Sequence, residues 1–321
     1  MKAKLLLILT AAIVCLGSQA ARAQITPYRD GKRAALSFTY DDGYLEHLTL
    51  VAPELEKRGF RGTYWIIGSM VGNTDNKYGP RLTWQQIGEL ARRGHDVGSH
   101  TWSHPHLKRI NDADSIRREF TRLDSAFAAN GLPRPLDVAY PYNGHTPLIE
   151  AIAEEGRIGS RTRQVGHGEK NNKVTPEKLS AWLSGIIERG EWGITMTHGI
   201  TCGYDMWYHP EWLWAFYDTV QAHSADVWVA TFAEVEAYRK ERAHCHLSIV
   251  GRRHRLQVTP VLEGLDPALF SVPLTLRLPL SSLRHSRRHE VCQDGSSLPF
   301  LLVADSLQFN FSPSGGPVTV R

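Results

Sequence analysis

Short apolar runs alternate with amphipathic stretches from Ala34 to Glu241, and their order predicts the fold class. Ala34–Tyr40 (AALSFTY) reads as a buried strand, and Gly62–Ile67 (GTYWII), β-branched and aromatic, as another. Between them Thr49–Lys57 has helical character and is closed by Gly59. Thr83–Arg93 is predicted as a helix with Thr83 as its N-cap and Gly94 as its stop. A short strand at Asp96–His100 precedes a helical period over Asp114–Ala129 that Gly131 and Pro133 end. The alternation continues with strands at Asp137–Tyr142, Gly193–His198 and Val227–Ala230. Helices are predicted at Thr146–Glu155, Pro176–Arg189, Pro210–Ala222 and Ala233–Arg242. Repeated strand–helix units imply a parallel sheet covered by helices, and about seven of them favour a barrel over an open sheet.

The texture changes near Ala243. Residues 245–321 contain no lysine and no helical period, and they carry eight arginines against five acids. Alternating runs at Leu274–Leu280, Leu298–Val303 and Ser306–Phe311 are separated by turn residues, which predicts a small β-sandwich or β-rich appendage. Two basic clusters, Arg252–Arg255 and Arg284–His289, read either as solvated strand edges or as a surface for an acidic glycan.

The composition, 42% hydrophobic and 22% charged over 321 residues, excludes a disordered or collagen-like chain. Residues 1–23 have a basic start at Lys2 and Lys4, an apolar run from Leu5 to Leu16 and small residues at Ala21 and Ala23. This pattern predicts a signal peptide cleaved near Ala23–Gln24. Without that segment 34 basic side chains face 33 acidic ones, so net charge gives no pull toward nucleic acid, and stable membrane insertion after cleavage is not expected. The expected compartment is the periplasm or the outside medium. There Cys245–Cys292 could bridge the C-terminal segment, with Cys202 left over.

Four constellations carry chemistry. Thr39-Tyr40-Asp41-Asp42-Gly43 places two carboxylates at the end of an apolar strand, where active sites of parallel α/β folds gather. Successive strand residues point to opposite sides, so one acid could bind a metal while the other faces a water. His100-Thr101-Trp102-Ser103-His104 puts two imidazoles where a chain turn would let them converge on a divalent ion. Ala139-Tyr140-Pro141-Tyr142 makes a rigid corner able to aim the Tyr142 N–H at a ligand. Thr197-His198-Gly199 ends a further strand in histidine. Among the aromatic residues Trp65, Trp102, Trp192, Trp207, Tyr208, Trp212 and Trp214, the loop residues Trp207 and Tyr208 are the better candidates for stacking on sugar rings. Trp212 and Trp214 read as core.

In this order and at these strand ends, the motifs resemble the polysaccharide deacetylase family, with its NodB-homology domain (carbohydrate esterase family 4). The resemblance covers about residues 34–240. It implies a distorted (β/α)7 barrel, here with a small C-terminal β-rich domain. The expected division is 1–23 signal peptide, 24–243 catalytic domain and 244–321 accessory domain. It implies Asp42, His100 and His104 as ligands of a divalent metal, zinc first, with cobalt, nickel or manganese as alternatives. It also implies Asp41 as base, His198 as acid and the Tyr142 N–H as oxyanion donor. Two features depart from the pattern. Position 139 is alanine where the family often has a base-orienting arginine, for which Arg161 is the expected substitute and Arg163 the second choice. No clear aspartate motif orients His198, and Asp205 is the expected stand-in. The resulting expectation is an exported, metal-dependent deacetylase releasing acetate from an acetylated glycan. Its rival from another class is a non-catalytic glycan-binding or cell-envelope protein that kept the fold.

Overall fold

The computed structural model describes residues 23–252, 255–283 and 289–321. The expected signal segment, apart from Ala23, lies outside the described residues, as do Arg253 and His254 of the first basic cluster and residues 284–288 of the second.

The chain enters through a two-residue strand, β1 (Gln24–Ile25), and then builds a curled parallel sheet from β2 (Ala34–Ser37), β3 (Thr39–Tyr40), β4 (Thr63–Ile66), β5 (Asp96–Ser99), β6 (Asp137–Ala139), β7 (Gly159–Arg161), β8 (Val165–Gly166), β9 (Trp192–Met196) and β10 (Val227–Val229). β2 and β3 are one strand interrupted at Phe38. Its first half pairs with β9 and β10 and its second half with β4, while Tyr40 also bridges to Thr197. The parallel ladder runs β8-β9-β2/β3-β4-β5-β6-β7, and among the described residues no pairing closes β7 onto β8. This is the distorted barrel that the sequence predicts.

Period-two alternation explains why the strands read as continuous apolar runs, because both faces are buried. Ala34, Leu36, Phe38, Tyr40, Tyr64 and Ile66 point outward, into a core shared with Leu55, Leu90, Leu183 and Tyr217 of the covering helices. Ala35, Trp65, Ala139 and Ile194 point inward and pack with Phe232 and Trp192 in the barrel interior.

The covering helices are α1 (Ala52–Glu56), α2 (Trp84–Arg92), α3 (Ala113–Ala129), α4 (Pro147–Ala153), α5 (Pro176–Arg189), α6 (Pro210–Ala222) and α7 (Phe232–His244). Their limits follow local rules. Thr83 and Thr231 form reciprocal capping boxes with Gln86 and Glu234, and Thr146 and Thr175 cap helices that begin with proline. Gly190, at φ 66°, closes α5 in the left-handed conformation. The predicted helix Thr49–Lys57 differs: the chain makes a π-turn over His47–Val51 and only then α1. Pro53 cannot donate a backbone hydrogen bond back into the preceding turn, and the wider turn seats His47 inward.

After α7 come two antiparallel sheets. One is β1-β13-β17-β16 and the other β11-β12-β18-β14-β15, where β11 is Cys245–Arg252, β12 Arg255–Leu262, β13 Leu274–Pro279, β14 Val291–Gln293, β15 Ser296–Ser297, β16 Phe300–Val303, β17 Ser306–Phe311 and β18 Val318–Val320. Leu256, Val258, Leu276, Phe309, Val318 and Val320 belong to the core these sheets share. Tyr238 of α7 enters the same core and donates its hydroxyl to the Thr26 carbonyl at 3.0 Å. The chain's start is thus tied into the C-terminal sheets as well as the barrel. Cys245 and Cys292 lie in one sheet with β12 and β18 between their strands, and both are free, as is Cys202. The suggested bridge is therefore absent.

Candidate functional site

The C-terminal ends of β3, β5, β6 and β9 feed one cleft of about 750 Å³. Asp41 and Asp42 stand at its floor with His100, His104 and His198, and Tyr142 is on its wall. Five non-glycine residues here have positive φ: Asp42 (77°), Thr101 (67°), His104 (57°), Tyr142 (56°) and Asn143 (55°). Such conformations are costly for side-chain-bearing residues, most of all for β-branched Thr101, and persist where the surroundings enforce them. Asp41 also reaches this corner of the cleft, its Oδ2 3.9 Å from His100 Nε2.

Asp42 Oδ1 lies 3.6 Å from His100 Nε2 and 3.7 Å from His104 Nε2. Ligand atoms of the three residues fall within 4.8 Å of one another. The His100 Nδ1–H donates to the Ala139 carbonyl at 2.7 Å, which leaves the Nε2 lone pair facing Asp42. Asp42 Oδ1 is buried and has no hydrogen-bond partner. A buried carboxylate oxygen without a donor and two imidazoles turned toward it fit a divalent cation. Burial pushes both imidazoles toward the neutral form that a metal ligand needs, and His104 falls to about 4.

Asp41 has a different partner. Arg161 on β7 grips it at two points, Nη1 to Oδ1 at 2.7 Å and Nη2 to Oδ2 at 2.5 Å, and also donates to Thr39 Oγ1 at 2.7 Å. Burial pushes the Asp41 carboxyl up, but the guanidinium outweighs burial and holds it well below the usual carboxylate range. Arg163, the second choice, is not at this carboxylate; its guanidinium lies 5.9 Å from the centre of the Trp192 ring.

His198 lines the cleft opposite, and its carbonyl accepts from the buried His47 Nε2–H at 3.0 Å, which ties the π-turn to this loop. His198 Nδ1 is buried without a partner. Asp205 does not orient it: one of its oxygens accepts from the Asn171 and Asn172 N–H groups, the second at 3.3 Å, and the carboxylate closes a separate loop.

Tyr142 is half exposed and stacks on His106 at 3.7 Å between ring centres, with His104 edge-on at 4.7 Å. The predicted sugar-stacking pair is not brought to the cleft. Trp207 is buried in the core between sheet and helices, its backbone N–H bonded to the Ile200 carbonyl. Tyr208 is exposed elsewhere, its N–H donated to Glu169. Trp65 and Trp192 fill the barrel interior. Instead, tyrosines line the cleft, Tyr44, Tyr78, Tyr140 and Tyr204 among them. Arg81 is a further site residue that motif reading missed. It is buried, lies 3.6 Å over the Tyr44 ring and brings Nη2 to 3.8 Å from Asp42 Oδ2. No local signal marks it, because it approaches the site through its backbone bridge to Tyr44.

A family model described as polysaccharide deacetylase matches residues 28–158, which include Asp41, Asp42, His100, His104 and Tyr142 and stop short of Arg161 and His198. Among characterised proteins, a gellan lyase from a Bacillus species is 22% identical over 298 residues, covering 80% of this chain and 11% of that protein. A chitin deacetylase from Colletotrichum lindemuthianum is 30% identical over 105 residues, covering 31% of this chain and 41% of that one. A peptidoglycan-N-acetylglucosamine deacetylase from Bacillus cereus is 26% identical over 93 residues, covering 29% and 30%. The matches thus span less than half the length of each of these relatives. A solved structure from Mycobacterium smegmatis, named as a polysaccharide deacetylase, superposes with a TM-score of 0.54 at 17% identity. It covers 70% of this chain and 96% of that one, which bears on the fold alone.

Proposed function

We propose, from the premise that residues 28–158 belong to the polysaccharide deacetylase family, that this chain is an exported, metal-dependent hydrolase removing acetyl groups from a glycan. The observation that carries the reading is one cleft in which Asp42, His100 and His104 converge while a second carboxylate, Asp41, is held ionised by Arg161. Residues 1–23 act as the export signal, 24–243 as the catalytic unit and 244–321 as an accessory unit.

Asp42, His100 and His104 would hold a divalent ion, zinc first by its preference for imidazole and carboxylate. When bound, that ion supplies Lewis acidity, bringing the pKa of water toward about 7 so that even so acidic a carboxylate as Asp41 can accept its proton. Arg161 keeps Asp41 ionised and fixes its orientation, taking the part that Ala139 cannot. The Tyr142 N–H donates to the oxygen on which charge builds as the acetyl carbon becomes tetrahedral. His198, across the cleft, delivers a proton to the departing amine or alkoxide. The bond between the acetyl carbon and that nitrogen or oxygen breaks, and acetate leaves with the hydroxyl of the water.

The test is acetate release from chitin oligomers, peptidoglycan, acetyl-xylan and acidic acetylated polysaccharides, with and without chelator and added metal. Release is expected to stop with chelator and to fall at least about 1,000-fold in Asp41→Asn and His100→Ala. Full activity in metal-free protein would overturn the reading. The rival rests on His198 Nδ1, which has no orienting partner; it requires saturable glycan binding with no turnover on any member of the panel.

A further inference from the structure

We propose that the glycan this cleft takes carries carboxylates beside the acetylated sugar, and that Lys77 is the residue that selects it. The inference rests on the deacetylase reading of the same cleft and deepens it. Among the described residues, the only acids lining the cleft are Asp41 and Asp42. Both have their charge offset within the protein, Asp41 by Arg161 and Asp42 by Arg81 at 3.8 Å. A divalent ion on Asp42, His100 and His104 would leave the floor positive.

The walls add to that charge. Lys77 lines the cleft from the loop after β4, its Nζ 4.7 Å from the centre of the Tyr78 ring, and no carboxylate lies within 4.0 Å of it among the described residues. Asp75 neighbours it in sequence without pairing to it. Lys108, after β5, does not line the cleft, but its stem lies beside Gly144. It too has no carboxylate partner among the described residues. The Arg81 guanidinium is already set against Asp42 and adds no net charge, although its Nε and Nη1 have no acceptor among the described residues. A cleft with a positive floor and an unpaired lysine on its wall focuses its field outward and raises the local concentration of anions. Neutral chains could use the tyrosine walls but would leave these cations unmatched. A carboxylated chain lying across Tyr78 and Tyr142 would meet Lys77 first, on an exposed flexible stem suited to following a polymer rather than clamping a single group.

The experiment uses the full chain and two matched pairs of acetylated oligosaccharides. One pair is N-acetylated, chitin oligomers against hyaluronan oligomers, and the other O-acetylated, xylan oligomers against polygalacturonate oligomers. The acidic member of at least one pair is expected to show the higher kcat/KM at 20 mM salt, with the gap closing by 500 mM. Lys77→Ala should narrow the low-salt gap about two- to fivefold through KM, and Lys77→Glu should narrow it further. Equal rates on both members at low salt, or a gap that Lys77→Glu leaves unchanged, would overturn the proposal even if acetate release is robust. If no acetate is released from any member, the deacetylase reading fails instead. Calorimetric binding of the unacetylated oligomers then reads the charge preference by itself: tighter, salt-sensitive binding of the acidic chains supports the proposal, and no preference ends it.

Discussion

The barrel interior holds buried carboxyls in two settings that end in opposite charge states. At the C-terminal ends of the strands, Asp41 is stripped of solvent but gripped at two points by Arg161, and stays ionised. Within the sheet, Asp137 on β6 faces Asp96 on β5. Burial pushes Asp137 well above the usual carboxylate range, the charge of Asp96 pushes it further, and the more distant Arg157 and Arg161 do not reverse this. Neither oxygen of Asp137 has a donor, as expected when two carboxyls meet and a proton must sit between them. Burial alone therefore makes a carboxyl neutral here, and one well-placed guanidinium is enough to change the outcome. The cleft end of the barrel thus keeps an anion where burial alone would neutralise it.

Removing the guanidinium is the severest way to break this contrast. Arg161→Met is expected to cost about 3–5 kcal/mol of stability, because it leaves a buried carboxylate unpaired. It should also lower kcat/KM by about 100-fold or more as Asp41 loses its charge and orientation. The pH sign follows from the depressed value of Asp41 in the fold. The stabilisation from its pairing is present above the ordinary carboxylate pKa of about 3.9 and is lost as pH falls toward the lower folded value. In Arg161→Met burial is opposed only by the weaker influence of His100 and His198, so the acid limb of the rate profile should move to higher pH, toward Asp137-like behaviour. Urea melts and a pH–rate series check both, and an unmoved acid limb would mean that something other than Arg161 holds Asp41 ionised.

A third buried acid extends the comparison to the C-terminal sheets. Glu241 on α7 accepts from the Val272 N–H at 2.9 Å with one oxygen, while the other is buried and unpartnered. Burial raises its pKa to about 7, and the single backbone donor opposes this only in part. Its effect has the opposite sign to that of Asp41. The neutral acid's contribution is fully present below the unfolded value near 4.5 and is lost as pH rises through about 7. Glu241→Gln should therefore add about 2 kcal/mol at pH 8.5 and almost nothing at pH 4. Thermal melts at the two pH values give the difference, and an equal effect at both would show that Glu241 is already ionised in the fold.

Much of this architecture was legible in local signals. Threonine caps and the glycine at Gly190 marked the helices, and two-sided apolar runs marked the strands, because those signals act within a few residues. The convergence of Asp42, His100 and His104 was also legible, since strand ends in a parallel barrel meet at one rim. The π-turn at His47 was legible only in part: Pro53 is a local signal, but the hydrogen bond that seats His47 runs to His198, 151 residues away. Trp207 misled for a related reason. A loop tryptophan carries no mark that separates a binding face from core packing, and here it packs in the core with Ile200. Arg81 and the Asp96–Asp137 pair were equally hidden, since only tertiary pairing gives them neighbours.

The mildest substitution is the most discriminating. Asp137→Asn replaces a carboxyl held neutral by one of its own shape, and its amide can donate to Asp96 as the shared proton does. The expected change in stability at pH 7 is less than about 1 kcal/mol, because no buried charge is created and the donor is kept. Asp41→Asn makes the same atomic change on the same barrel, but it leaves the buried Arg161 without its anion and should cost about 3–5 kcal/mol. The ratio of the two, read from paired denaturation curves, isolates the charge state from size, shape and burial. Comparable losses would mean that Asp137 is ionised after all, held by Arg157 and Arg161, and the Asp96–Asp137 pair would then carry two charges where we read one.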